Sequence, residues 1–413
     1  MTRAAVAVLA AGFAFGPVAV TAPSAEQVPA APPYKLMRSL QILQDQIAYG
    51  DKAAHAMQLR LTKLVDEGFR SLDRTQKMSE RDARALLSYS MVGGNPETLE
   101  ELLHSIGERD DELVRLALAV LIFQKGAAKT AASRLQNVDP ERAGGLFGAS
   151  LALVRGLVTE DDGEARVDFD TARVLAPGTL IEEAALRRLM TIHKRRQDPV
   201  SFLRVASRYA RRYIGSPYAL QFAEEFIAGV VAMDGWMDRA VLKEVLDFMP
   251  PQYREAIMLR LMRAATVDGK IDLVDHIAAS RRQENPASAT PVRDDNLRDE
   301  RRALYEKIAK ITSKNVREVA GELSAVDEEA LSEGDRELLR AVLAVAGMLT
   351  DRDAVIPPPR YVPPGAKLLP TESESIFTSA ERDPGPLMQD FDGFVSGTRD
   401  ALNDIDSLLE EIQ

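Results

Sequence analysis

The residues able to do chemistry are few, and their spacing keeps them apart. Four histidines, His55, His104, His193 and His276, stand far from one another, and none has a second His at the i+3 or i+4 position. That spacing would place two imidazoles on one helix face for a metal. Each therefore reads as a surface or groove histidine. Adjacent acids at Glu100-Glu101, Glu182-Glu183 and Glu224-Glu225 have the composition of an acid–base pair. On a helix, neighbours diverge by about 100°, so these pairs do not converge on one substrate atom. The chain has no cysteine, which removes disulfides, thiolate metal sites and a cysteine nucleophile. Gly144-Gly145-Leu146-Phe147-Gly148 lacks the preceding strand of a phosphate loop and reads as a flexible or closely packed helix start.

Two partial motifs are incomplete in a physical sense. Asp268-Gly269-Lys270-Ile271-Asp272 with Asp275 resembles the second half of a calcium loop, but the first and third ligand positions fall on Ala264 and Thr266. Calcium needs those oxygens, so a polar turn between helices is the simpler reading. Glu374-Ser375 followed by Gly385-Pro386-Leu387-Met388-Gln389 echoes the order of lytic transglycosylase motifs. Too little chain follows to build that catalytic fold around them.

One cluster suggests binding. Arg187, Arg188, Lys194, Arg195, Arg196, Arg204, Arg208, Arg211 and Arg212 crowd two consecutive helical segments, with Asp198 the only acid among them, in a chain of net charge -11. A solvated pair of helix faces would account for them, helped by the preference for cations at helix C-termini. The alternative is a docking site for an acidic partner segment or for anionic cell-wall or lipid groups. The overall acidity argues against nucleic acid as a partner, because counterion release needs a basic field.

The elements that must position these residues are helices. The chain is 46% hydrophobic but only 6% aromatic, so its core must be built mainly from Ala and Leu, which favour helix. From Tyr34 to about Leu349 apolar residues recur at three- and four-residue intervals. Asn95-Pro96, Asp139-Pro140, Asp198-Pro199 and Ser216-Pro217 each place a capping side chain before a proline, the order expected at N-cap and N1. Thr98-Leu99-Glu100-Glu101 adds a capping-box pattern. Short loops make neighbouring helices antiparallel, so residues 31–350 form either a large bundle or tandem helix pairs. Ala172 to Gly178 followed by Glu183 to Arg188 resembles the turn of a tetratricopeptide repeat, and small residues recur at Ala127-Ala128, Ala131-Ala132, Ala206 and Ala210. We expect an all-α fold of tandem antiparallel pairs, a degenerate tetratricopeptide-like α-solenoid, interrupted by a polar loop near residues 283–295.

Both ends differ from this array. In residues 1–30, Arg3 precedes an apolar run from Ala4 to Val20 and an Ala-rich stretch offering A-x-A-like cleavage sites, the layout of a secretory signal peptide. An uncleaved anchor is the competing reading, although Gly16-Pro17 interrupts the run and a spanning helix wants about 20 apolar residues. No later run is long enough to span a membrane. Residues 351–386 are Pro-rich and read as a semi-rigid linker. Residues 387–413 read as a C-terminal amphipathic helix, with Phe391, Val395, Leu402, Ile405, Leu409 and Ile412 on one stripe and acids opposite. It is expected either to fold back on the array as a cap or to dock in a partner's groove.

The segment Arg38-Ser-Leu-Gln-Ile-Leu-Gln-Asp-Gln-Ile-Ala-Tyr-Gly-Asp51, placed directly after the expected signal peptide, resembles the opening helix of the MotC family of periplasmic motility proteins of rhizobia and related alphaproteobacteria. The resemblance implies a non-enzymatic accessory protein of the flagellar motor, located in the periplasm and required for flagellar rotation. Its implied partner is the periplasmic part of the stator subunit MotB, with a dedicated periplasmic chaperone as an additional one. It implies no cofactor and transfers no catalytic residues. A periplasmic helical-repeat adaptor for envelope assembly or secretion, and a cell-wall-active protein, remain as alternatives.

Overall fold

The structure, a computed structural model, describes residues 31–108, 111–284, 293–311, 315–328 and 331–350. The chain separates into two compact units, Met1–Ala31 and Pro32–Gln413, and the fold below belongs to the second. The expected signal peptide, the Pro-rich linker and the C-terminal helix lie outside the described residues, as does the transglycosylase-like echo. Among the described residues there is no strand.

The first helices are α1 (Pro33–Ala48), α2 (Lys52–Arg70), α3 (Glu80–Met91), α4 (Pro96–Ile106), α5 (Glu112–Gln124), α6 (Ala128–Leu135) and α7 (Pro140–Ala143). They are followed by α8 (Gly145–Val158), α9 (Asp162–Leu175), α10 (Leu180–Arg195), α11 (Pro199–Arg212), α12 (Ala219–Ala232) and α13 (Arg239–Asp247). The series continues with α14 (Pro251–Val267), α15 (Ile271–Glu284), α16 (Arg293–Ala309), α17 (Val316–Ser324) and α18 (Glu333–Thr350). Sequence neighbours pack as pairs, α8 on α9, α10 on α11, α14 on α15 and α16 on α17. Helices two apart lie side by side, α8 with α10, α10 with α12, α12 with α14 and α14 with α16, so the pairs stack in a row.

The joints follow local chemistry where it is unopposed. Asn95 caps α4 by accepting from the Glu97 backbone N–H at 3.0 Å, and Asp139 does the same for α7 through Glu141 at 3.0 Å. Asp198 caps α11 through the Ser201 N–H at 3.0 Å. At Ser216-Pro217 the expected start is displaced. The Ser216 hydroxyl accepts from Tyr218 N–H at 3.2 Å, closing a turn, and α12 begins only at Ala219. Thr98 is no cap either: it lies inside α4, fully buried, and its hydroxyl bonds Asp66 of α2 and accepts from Arg70 Nε. The polar loop is shorter than residues 283–295, because α15 runs to Glu284 and α16 begins at Arg293. Asp268 and Gly269 make the simple turn between α14 and α15, with Gly269 at φ +69°. Of the small residues, Ala131, Ala206 and Ala210 are buried, whereas Ala127 and Ala128 are exposed.

One buried cluster runs from Ala152 in α8 to Leu339 in α18, and Ala48 at the end of α1 joins it. Its centre is a column of rings, with Tyr209 stacked on Phe222 at 4.1 Å between centroids, Phe222 on Phe226 at 5.6 Å and Phe226 on Phe202 at 6.2 Å. These offset stacks add to what burial alone supplies. In a strict solenoid each pair meets only its neighbours. Here α1 also touches α10, across eight intervening helices. Gly50, in the turn after α1, has φ +91° and no room for a Cβ against the Gly215 carbonyl in the turn after α11.

Candidate functional site

The cationic segment forms α10, α11 and the turn between them. Thr179 caps α10 and Asp198 caps α11, and the buried stripe Phe202, Val205, Ala206, Tyr209 holds α11 on the array. The opposite stripe of α11 carries Val200, Arg204, Arg208 and Arg211, all exposed.

The structure divides the nine cations into two groups. Arg187 chelates Glu183, four residues earlier, with both contacts at 2.9 Å, and its guanidinium lies 5.0 Å from the Tyr218 ring centre. Lys194 pairs with Glu225 of α12 at 2.9 Å, and Arg195 pairs with Asp162 of α9. Arg212 reaches Glu182 at 3.1 Å, while Arg211 sits 3.6 Å from Glu244 and 3.7 Å from the Phe248 ring centre. These five fasten α10 and α11 to themselves and to their neighbours. Arg188, Arg196, Arg204 and Arg208 are exposed and have no hydrogen bond or ion pair among the described residues. Arg204 and Arg208 are one helical turn apart on α11, so their charges reinforce each other on one face.

Glu182 and Glu183, read from the sequence as a diverging pair on a helix, are almost fully buried, at 4% and 0% exposure. Each faces its own tyrosine: Tyr213 donates to Glu182 and Tyr209 to Glu183, both at 2.6 Å. Glu182 also accepts from Gly178 N–H at 2.6 Å. Burial first, and then the adjacent carboxylate, push both phenols above their ordinary range, which keeps them protonated donors. The same grouping recurs at Asp335 of α18. That carboxylate accepts from Tyr305 at 2.6 Å, Arg301 at 2.8 Å, Arg263 at 3.1 Å and Ser332 at 2.6 Å. These carboxylates are spent on joining helices, since every donor around them comes from the fold itself. The tyrosines lie 26 and 31 residues after Glu183 and Glu182 but 30 before Asp335, so no single spacing in the sequence announces these groups.

His193 corrects the surface reading, as it is 7% exposed. Its Nδ1 is 3.6 Å from Asp198, too far for a hydrogen bond, and burial lowers its pKa, so at neutral pH it is an uncharged core side chain. Burial lowers His276 as well. A surface cleft of about 740 Å³ between α6, α8 and α9 holds Arg155 and Asp168, 3.2 Å apart. Burial raises the Asp168 carboxyl despite that pairing. Among the described residues no three His, Asp or Glu side chains are grouped to hold a metal ion, and no helix is long and apolar enough to cross a membrane.

The arrangement is therefore a row of packed helices that carries exposed cations on α10 and α11. No solved structure matches this chain. Chemotaxis protein MotC of Rhizobium meliloti (strain 1021) is 32% identical over 440 residues, covering 98% of each chain. The family described as Chemotaxis protein MotC matches residues 1–413. With the whole length matched, this chain belongs to the MotC family of chemotaxis proteins.

Proposed function

We propose that this protein is a non-enzymatic accessory of the flagellar motor, acting in the periplasm by binding the periplasmic part of the stator subunit MotB. The family match over the entire chain is the observation that carries this reading, and it supports a role in flagellar motility. Two features of the chain agree with the finer statement. Residues 1–30 have the layout of an export signal. The α11 face offers Arg204 and Arg208, exposed and one helical turn apart, as a surface for an acidic segment needs.

A chromosomal deletion separates this from an adaptor in envelope assembly. The expected outcome is a cell that carries filaments of normal number and length that do not rotate. Loss of filaments or altered cell shape would overturn it. Co-purification of the exported chain with the periplasmic part of MotB tests the partner, and absence of the complex in both low and physiological salt would remove it.

A further inference from the structure

We propose that the groove between α1, α2 and the end of α3 is a binding site for a short extended stretch of uncharged peptide that carries a leucine-like side chain. This goes beyond the motility reading and uses no property of a stator partner. Leu40 and Gln44 stand one turn apart on α1, and His55, Gln58, Leu59 and Thr62 form one stripe of α2 facing them. Tyr89, Val92 and Gly94 at the end of α3 close the groove, whose volume is about 360 Å³. Ligand sites occupy roughly 300–1,000 Å³. The α3 end is fixed by the fold itself. Gln124 of α5 donates to the Gly94 carbonyl at 2.7 Å and to that of Ser90 at 3.0 Å, and Tyr89 Oη accepts from the Asn95 N–H at 3.1 Å.

The lining selects the ligand. Among the described residues that form it there is no carboxylate, lysine or arginine, so a charged ligand would lose water there without gaining a partner. Two primary amides are available instead. Gln44 is only 8% exposed, and its side-chain amide has no hydrogen bond among the described residues. The Gln58 amide has none either. A side-chain amide offers a carbonyl acceptor and N–H donors, the complement of what a peptide unit presents, and leaving it unpaired in a buried setting is unfavourable. Beside these amides Leu59 is 68% exposed at the rim, with Leu40 and Val92 in the wall. That surface suits an aliphatic side chain whose own backbone reaches the amides. A saccharide fits less well, because Tyr89 is 2% exposed and presents no open ring face, and the aliphatic wall would leave sugar hydroxyls unpaired. From His55 to Thr62 the stripe is about 10 Å long at 1.5 Å per residue, enough for about three residues of extended chain.

The probe is the capped peptide acetyl-Ala-Leu-Ala-methylamide, titrated into the full chain. Four histidines are present, so labelled imidazole carbons report on His55 by magnetic resonance, its signal identified by its loss in His55→Gln. The expected result is a saturable shift of the His55 signal, half-complete between about 0.1 and 10 mM, with His104, His193 and His276 unmoved. Acetyl-Ala-Glu-Ala-methylamide and glucose should each bind at least about 10-fold more weakly. Gln44→Leu should weaken binding of the leucine peptide about 10-fold by removing the amide. Leu59→Ser, at an exposed position that the fold does not depend on, should weaken it about 3-fold or more. Should Gln44→Leu lower helix content by circular dichroism, Leu59→Ser carries the comparison. No saturable shift over that range, or equal affinity in the wild type and Leu59→Ser, would overturn the proposal. Tighter binding of glucose than of the leucine peptide would make the groove a saccharide site and overturn it equally.

Discussion

Asp45 sits on α1 where that helix meets α10, and burial raises its carboxyl from the ordinary 3.8 to about 6, although the Leu180 backbone N–H favours the charged form. The folded state therefore holds a proton that the unfolded chain releases, so stability falls as pH rises from about 4 through about 6. Above that window the charge remains a cost, on the order of 1–2 kcal/mol after allowance for the solvent that still reaches it. Asp45→Asn keeps an acceptor for Leu180 and removes the charge. Urea denaturation should show the variant more stable than wild type at pH 7.5 and equal to it near pH 4, and an unchanged midpoint at both pH values would contradict the assignment. Nothing in the sequence marks Asp45, because an acid in an amphipathic helix looks the same whether its next layer is water or another helix. Glu182 and Glu183 make the same point. Their adjacency was visible, but the tyrosines that satisfy them are 26 and 31 residues away.

The helices themselves were much more legible than their partners. Asn95, Asp139 and Asp198 cap the helices their prolines announce, because a cap bonds only the next two or three N–H groups. Thr98 has a capping pattern yet serves α2 instead, since a distant carboxylate outcompetes its own backbone. On α11 the structure sets a buried stripe of Phe202, Val205, Ala206 and Tyr209 opposite the arginines. What was not clear is how closely α12 approaches it. A Cβ at Gly229 would fall inside the Phe202 ring, so the ring column depends on that glycine. Gly229→Ala, ordinarily favourable within a helix, should cost about 1–3 kcal/mol here through overpacking. A fall in the denaturation midpoint with an unchanged slope would bear this out, whereas a stabilised variant would mean that the helices can separate freely.

For the whole molecule, the contact of α1 with α10 decides how the row of helices behaves. Tyr49 closes the end of α1 against Tyr213, ring centres 6.2 Å apart, and Gly50 lies on the turn at Gly215. The Tyr-Gly-Asp that ends the family-like segment is thus a latch, with Asp51 capping α2 through Ala53 N–H at 2.8 Å. A linear array opens from its ends, but a latched one loses that freedom. Hydrogen exchange on the full chain should therefore give α1 and α10 the same opening free energy, and earlier exchange of α1 alone would refute the latch. By itself the sequence determined the helical class, most helix starts, the family through Arg38 to Asp51, and the charges available, because these depend on residue type and on neighbours within about one turn. Only the tertiary structure decided which cations are spent. Five of the nine in the basic cluster are bound to carboxylates, four of them carried by residues some 30 positions away in the chain. Arg188, Arg196, Arg204 and Arg208 remain exposed. Pairing needs approach in space, and that approach is set by how helices stack rather than by the order of residues along them.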